Sequence, residues 1–155
     1  GTDTYGAIGH GYTYSGHPMG IAAAIANLDI IERENLTANA RDTGAYLQQR
    51  MQATFAEHPL VGEARGIGLL AALEFSSDRS KRQHFDPSLK VGPMVSAACL
   101  EEGLIARAMP HGDILGFAPP LVVTRGEVDD LVARAERAVN KVTDKLISSG
   151  AWQAK

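Results

Sequence analysis

Directly after Pro18, apolar residues recur at helical spacing. Ile21, Ala24, Ile25, Leu28 and Ile31 line one side of "MGIAAAIANLDIIER", with Asp29, Glu32 and Arg33 on the other. Pro18 suits a first turn, where its missing N–H costs little. A second helix is expected from Asn35, a candidate N-cap, with Leu36, Ala40, Leu47, Met51 and Phe55 as its stripe and His58-Pro59 as its end. "RGIGLLAALEF" then alternates, placing Ile67, Leu69, Ala71, Leu73 and Phe75 on one side of a strand. "SSDRSKRQHFDPSLK" is polar, is broken by Asp86-Pro87, and is expected as a surface loop.

"VGPMVSAACLEEG" predicts a third helix stopped by Gly103. "LIARAM" and "ILGFA", joined by "PHGD", predict two short strands in a hairpin. Thr124 and Glu127 form a capping-box signature before a last helix on Val128, Leu131, Val132, Ala135, Val139, Val142 and Leu146, with Gly150 as its stop. The order ααβ, loop, αββα predicts a small α+β domain, a short, largely antiparallel sheet covered by helices on one face.

Composition narrows the function classes. The 155 residues are 45% hydrophobic and 21% charged, with a net charge of −3, values of an ordinary globular chain with no general attraction for nucleic acid or an anionic membrane. No apolar run approaches the ~20 residues that span a bilayer. The lone Cys99 cannot form an intrachain disulfide, which suits a reducing cytoplasm.

"GIGLLA", Gly66 to Ala71, matches a dinucleotide fingerprint, and Asp86 follows twenty residues later. That fingerprint must open a helix, whereas here it lies within strand pattern. Gly66 and Gly68 are read instead as close backbone approach or a bulge. Arg134, Arg137, Lys141 and Lys145 on the last helix read as a solvated face, and Cys99 as a small core residue. The five histidines show no metal-ligand spacing, so no metal site is expected.

Two features keep a chemical reading open. "HGYTYSGHP", His10 to Pro18, concentrates polar groups before an apolar helix. They could hold an anion with hydroxyls and N–H groups, or merely cap the helix. Arg107 is the only charge in its apolar hairpin strand. It could be an edge-strand cation reaching solvent, or a clamp whose two parallel donors match a carboxylate. Arg65, at a strand entry, reads as structural.

Taken in order, "HGYTYSGHPMGIAAAIANLDIIE", "VGEARGIGLLAALEF" and "EEGLIARAMPHGDILGFAPPLVVTRGEVDDLV" resemble the C-terminal part of class III aminotransferases. These are fold type I enzymes dependent on pyridoxal 5′-phosphate (PLP), and the likeness is strongest to ω-amino-acid:pyruvate and amine transaminases. The resemblance implies residues 1–17 as a loop from the end of the large PLP-binding domain, 18–33 as a connecting helix, 34–150 as the small C-terminal domain, and 151–155 as a tail.

It also implies roles. The threonine matching Thr13 reaches the PLP phosphate of the neighbouring subunit of a homodimer, and Tyr12 matches an aromatic position beside it. The arginine matching Arg107 binds the substrate carboxylate and swings aside for an apolar amine. The Schiff-base lysine is expected upstream of residue 1, so this chain by itself is not expected to transaminate. The reaction implied for the complete enzyme moves an amino group from an amine or ω-amino acid to an oxo acid such as pyruvate. Two alternatives stay open, an aminomutase on the same scaffold and a non-enzymatic α+β interaction module.

Overall fold

A computed structural model describes residues 2–6 and 9–154. Gly1, Ala7 and Ile8 of the expected loop and Lys155 of the expected tail lie outside the described residues. The chain divides into two compact units, Gly1–Asn35 and Leu36–Lys155, and each is described by itself.

The first unit contains a four-residue helix α1 (Thr2–Tyr5), a tight turn and helix α2 (Pro18–Arg33). Pro18 opens α2 as the sequence suggests, while α1 falls where only loop is expected. Every described residue of α2 keeps solvent exposure, including the large apolar side chains of Ile21, Ile25 and Leu28. Asn35 does not cap the next helix. It adopts φ +50° just past the end of α2, the left-handed conformation that terminates a helix and that Asn tolerates.

The second unit is α3 (Leu36–Phe55), β1 (Val61–Ile67), β2 (Leu70–Phe75), a 3₁₀ turn (Pro87–Leu89), α4 (Val91–Glu101), β3 (Arg107–Ala108), β4 (Ile114–Phe117) and α5 (Arg125–Ser148). The four strands form one antiparallel sheet in the order β1-β2-β4-β3. Helices α3 and α4 pack on the sheet, and α5 packs on both helices. Between these layers lies an apolar core that includes Phe55, Leu73, Phe75, Cys99, Leu115 and Val128, each 0% exposed. The expected α+β architecture is the one observed.

Alternation alone misplaces one element. "RGIGLLAALEF" is the end of the first limb, the turn and the second limb of a hairpin, not one strand: Ile67 pairs with Leu70, and Gly68 bends the chain at φ +54°. A two-residue turn with positive φ at its first position matches the twist of antiparallel strands. The reversal leaves Ile67 79% exposed instead of in the core, while Leu69 is buried. The glycines do mark close approach. A Cβ on Gly66 would stand 2.8 Å from Ala71 Cα, and one on Gly44 of α3 would stand 2.6 Å from Gly68 Cα.

The segment expected as a surface loop also contributes to the interior. Ser76, Asp78 and Phe85 are buried. Trp152 packs edge-on against Phe85 at 5.7 Å and donates from Nε1 to the Ser77 carbonyl at 2.8 Å. A single apolar anchor in a polar stretch leaves no periodic trace. At the other extreme, local chemistry is fully expressed in α5: the Thr124 hydroxyl accepts from Glu127 N–H at 3.3 Å, and the Glu127 carboxylate accepts from Thr124 N–H at 2.8 Å. Three of the basic residues on α5 are not simply solvated. Arg134 donates to the Glu102 carbonyl, Arg137 to the Glu102 carboxylate and Lys141 to Glu101, linking α5 to the end of α4.

Candidate functional site

In the first unit, the polar stretch before α2 folds into a turn around Thr13 and Tyr14. Ser15 N–H donates to the Tyr12 carbonyl at 2.9 Å, and Tyr12 N–H donates back to Ser15 Oγ at 2.7 Å. His17 N–H donates to the Tyr14 carbonyl at 3.1 Å, and Gly16 takes φ +79° to complete the reversal. His10 meets the Tyr12 ring edge-on at 4.6 Å.

The capping explanation for this cluster fails. The N-cap of α2 is His17, whose side chain makes no capping bond, and the Ser15 hydroxyl is used inside the turn. Thr13 and Tyr12 stand exposed on the same turn, and among the described residues the Thr13 hydroxyl has no hydrogen-bond partner. A hydroxyl and nearby backbone N–H groups on a tight turn are donors suited to a phosphate. The residues present therefore fit the anionic end of PLP.

Arg107 belongs to the second unit, on the two-residue edge strand β3. Residues paired across strands share a sheet face, so Arg65, Ala72, Gly116 and Arg107 stand in one row across all four strands. The two arginines occupy its ends, roughly 14 Å apart at about 4.8 Å per strand. Between them lie the Ala72 methyl and Gly116, the latter covered by the Met109 side chain. The sheet thus offers a shallow floor with a cation at each side.

The two cations are in different states. Arg65 donates from Nη1 to Glu74 at 2.6 Å and to Glu63 at 2.8 Å. The Glu74 hydrogen bond is the main influence raising its pKa further above the ordinary guanidinium value. Arg107 is exposed, and among the described residues no carboxylate pairs with it. Of the two strand arginines, only Arg107 keeps both donor edges for an incoming carboxylate. Beside it, the Met109 methyl occupies the space that a side chain on Gly116 would need.

The remaining candidates are structural. Cys99 is fully buried, and burial pushes its thiol up to about 11, with the Glu102 charge adding to the effect. Among the described residues no group of three or more His, Cys, Asp or Glu could hold a metal ion, and no helix is long and apolar enough to cross a membrane.

Two polar residues near Arg107 make contacts that escape sequence reasoning. Asp113, which reads as a turn former, accepts twice: its carboxylate from Gly92 N–H and its carbonyl from Phe75 N–H, both at 2.8 Å. Ser96 Oγ donates to the Ala106 carbonyl at 2.7 Å. Both depend on tertiary contacts with no signature at short range.

Comparison with known proteins gives a consistent result. Residues 2–139 match the family model described as Aminotransferase class-III. The diaminobutyrate–2-oxoglutarate transaminase of Halomonas elongata is 71% identical over 154 residues, covering 99% of this chain and 33% of that protein. The putrescine–pyruvate aminotransferase of Pseudomonas aeruginosa is 38% identical over 144 residues, covering 92% of this chain and 31% of that protein. A transaminase structure from directed evolution by ancestral reconstruction superposes with a TM-score of 0.86 at 73% identity, covering 94% of this chain and 32% of that one. The chain therefore spans about a third of the length of the curated relatives it matches.

Proposed function

The chain belongs to the class III aminotransferases, and from that premise we propose that it serves a PLP-dependent transfer of an amino group from an amine or ω-amino acid to an oxo acid such as pyruvate. The observation that carries this reading is the unspent guanidinium of Arg107, exposed at the end of the sheet row that runs through Ala72 and Gly116.

In this reading Arg107 binds the carboxylate of the oxo acid or amino acid through two parallel donors and so orients the reacting carbon. When a simple amine is the substrate, the side chain turns away, and the Met109 methyl beside Gly116 offers an apolar surface in its place. Thr13 donates its hydroxyl to the PLP phosphate of a neighbouring subunit, with Tyr12 beside it. PLP, when bound, supplies the electron sink for the reaction. The exposed apolar side of α2 supports the homodimer this arrangement requires. The reaction is assigned to the cytoplasm, consistent with a single buried cysteine.

The test is product analysis with the full-length protein, PLP, an ω-amino donor and either pyruvate or 2-oxoglutarate. Alanine or glutamate formed in step with donor loss supports transfer. An isomerised amino acid without oxo-acid consumption identifies an aminomutase instead, and no conversion of any donor contradicts the reading.

A further inference from the structure

Helix α4 holds the Arg107 hairpin at both limbs. Before Arg107, the Ala106 carbonyl accepts from Ser96 Oγ at 2.7 Å. Beyond the turn, the Asp113 carboxylate accepts from Gly92 N–H at 2.8 Å, and the Asp113 carbonyl is tied to the end of β2 through Phe75 N–H. Gly92 and Ser96 are four residues apart on α4, so they lie on the same side of the helix, one turn apart.

The fit at Gly92 is close. A Cβ there would stand 3.3 Å from Asp113 Cα and 3.4 Å from Ile114 N. Lys90, the N-cap of α4, is in the left-handed conformation and makes no side-chain cap. Asp113 therefore supplies from the hairpin the acceptor that the helix's own N-cap lacks. Between the anchored points, Met109 to Gly112 are exposed, and the turn closes on itself through Met109 N–H to the Ile114 carbonyl.

Arg107 sits on a two-residue strand at the sheet edge, with β4 as its only partner strand among the described residues. Such a short ladder gives little positional restraint by itself. We propose that Asp113 and Ser96 are positioning residues for Arg107, which fix the backbone of the strand from both sides so that the guanidinium meets a carboxylate from a set origin and any swing is confined to its side chain. This inference rests on the reading of Arg107 as the carboxylate anchor.

The experiment compares Asp113→Ala, Asp113→Asn, Ser96→Ala and Arg107→Ala in the full-length holoenzyme, measuring kcat and KM for pyruvate and for a simple amine that lacks a carboxylate. Displacing a binding group by about an ångström costs on the order of ten- to a hundredfold. Asp113→Ala and Ser96→Ala are expected to raise KM for pyruvate by about tenfold or more, with amine KM within about twofold of wild type. Asp113→Asn, whose amide oxygen can still accept from Gly92, is expected to restore the pyruvate KM. In an Arg107→Ala background, Asp113→Ala should add no further acid-specific loss. If Asp113→Ala and Ser96→Ala change pyruvate and amine KM equally, or lower only thermal stability while Arg107→Ala is acid-selective, the positioning role is overturned and the anchor survives. If Arg107→Ala itself is not acid-selective, the anchor reading fails and this inference falls with it. Should Asp113→Ala not fold, Ser96→Ala, which leaves the helix end intact, decides the matter alone.

Discussion

Arg65 donates to Glu74 at 2.6 Å across the β1–β2 hairpin, so one end of the cationic row is neutralised within the sheet. At the other end Arg107 has no carboxylate partner among the described residues, and it is the group proposed to meet a ligand. The same residue type, in the same row, therefore stands in two different settings, and substitution should separate the structural one from the proposed anchor. Arg65→Met is expected to lower stability by about 1 kcal/mol, since a charged hydrogen bond is worth about 1.5–3 kcal/mol and partial exposure screens it. The ratio of acid to amine use should stay unchanged. Urea unfolding with parallel kinetics checks both, and an acid-selective loss would show that Arg65 also meets substrate.

Gly44 gives a case where propensity and packing disagree in sign. Alanine favours a helix interior over glycine by about 1 kcal/mol. A Cβ at this position would press on the Gly68 backbone, with Cα at 2.6 Å, and a backbone atom cannot rotate away. Overpacking costs about 1–3 kcal/mol. Gly44→Ala should therefore destabilise the protein in equilibrium unfolding, and a higher midpoint would mean that α3 and the hairpin are less closely apposed.

Cys99 links burial to pH. Its thiol is pushed up to about 11, first by burial and then by the Glu102 charge, whereas an unfolded thiol titrates near about 8.5. The folded state keeps the proton longer. The associated stability is fully present below the unfolded value and is lost as pH rises through about 11. Iodoacetamide at pH 8 should leave the native thiol unmodified and label it promptly in denaturant. Labelling of native protein at a free-thiol rate would place Cys99 outside the core.

Thr13→Val keeps side-chain shape and removes the hydroxyl assigned to the coenzyme phosphate. The full-length holoenzyme carrying it is expected to lose PLP faster on dialysis, by about tenfold for one charge-assisted hydrogen bond. Following coenzyme absorbance during dialysis measures this, and retention equal to wild type would remove Thr13 from the phosphate site.

These residues also show which parts of the fold can be read from sequence. Helix α5 was legible because its cap, stripe and stop are local: Thr124 and Glu127 satisfy each other within four residues. The β1–β2 turn was not, because buried Leu69 continues the apolar alternation through the reversal at Gly68. Arg107 stood out as a lone charge in an apolar strand. Its contrast with Arg65 depends on Glu74, which stands nine positions beyond Arg65 in sequence and beside it across the hairpin. Asp113 looked like a turn residue, since its partner Gly92 is twenty-one positions away and contributes only a backbone N–H. The roles proposed for Thr13 and Tyr12 rest on family resemblance, since no local pattern distinguishes their segment from an ordinary polar turn.

The most direct test of the carboxylate anchor is the substrate preference of Arg107→Ala in the full-length holoenzyme. Steady-state kcat/KM is measured for pyruvate and for a simple amine. Loss of a charged hydrogen-bonding partner, worth about 1.5–3 kcal/mol, should reduce the pyruvate value by about ten- to a hundredfold and leave the amine value near wild type. An equal fall for both substrates, or no fall for either, would contradict the account.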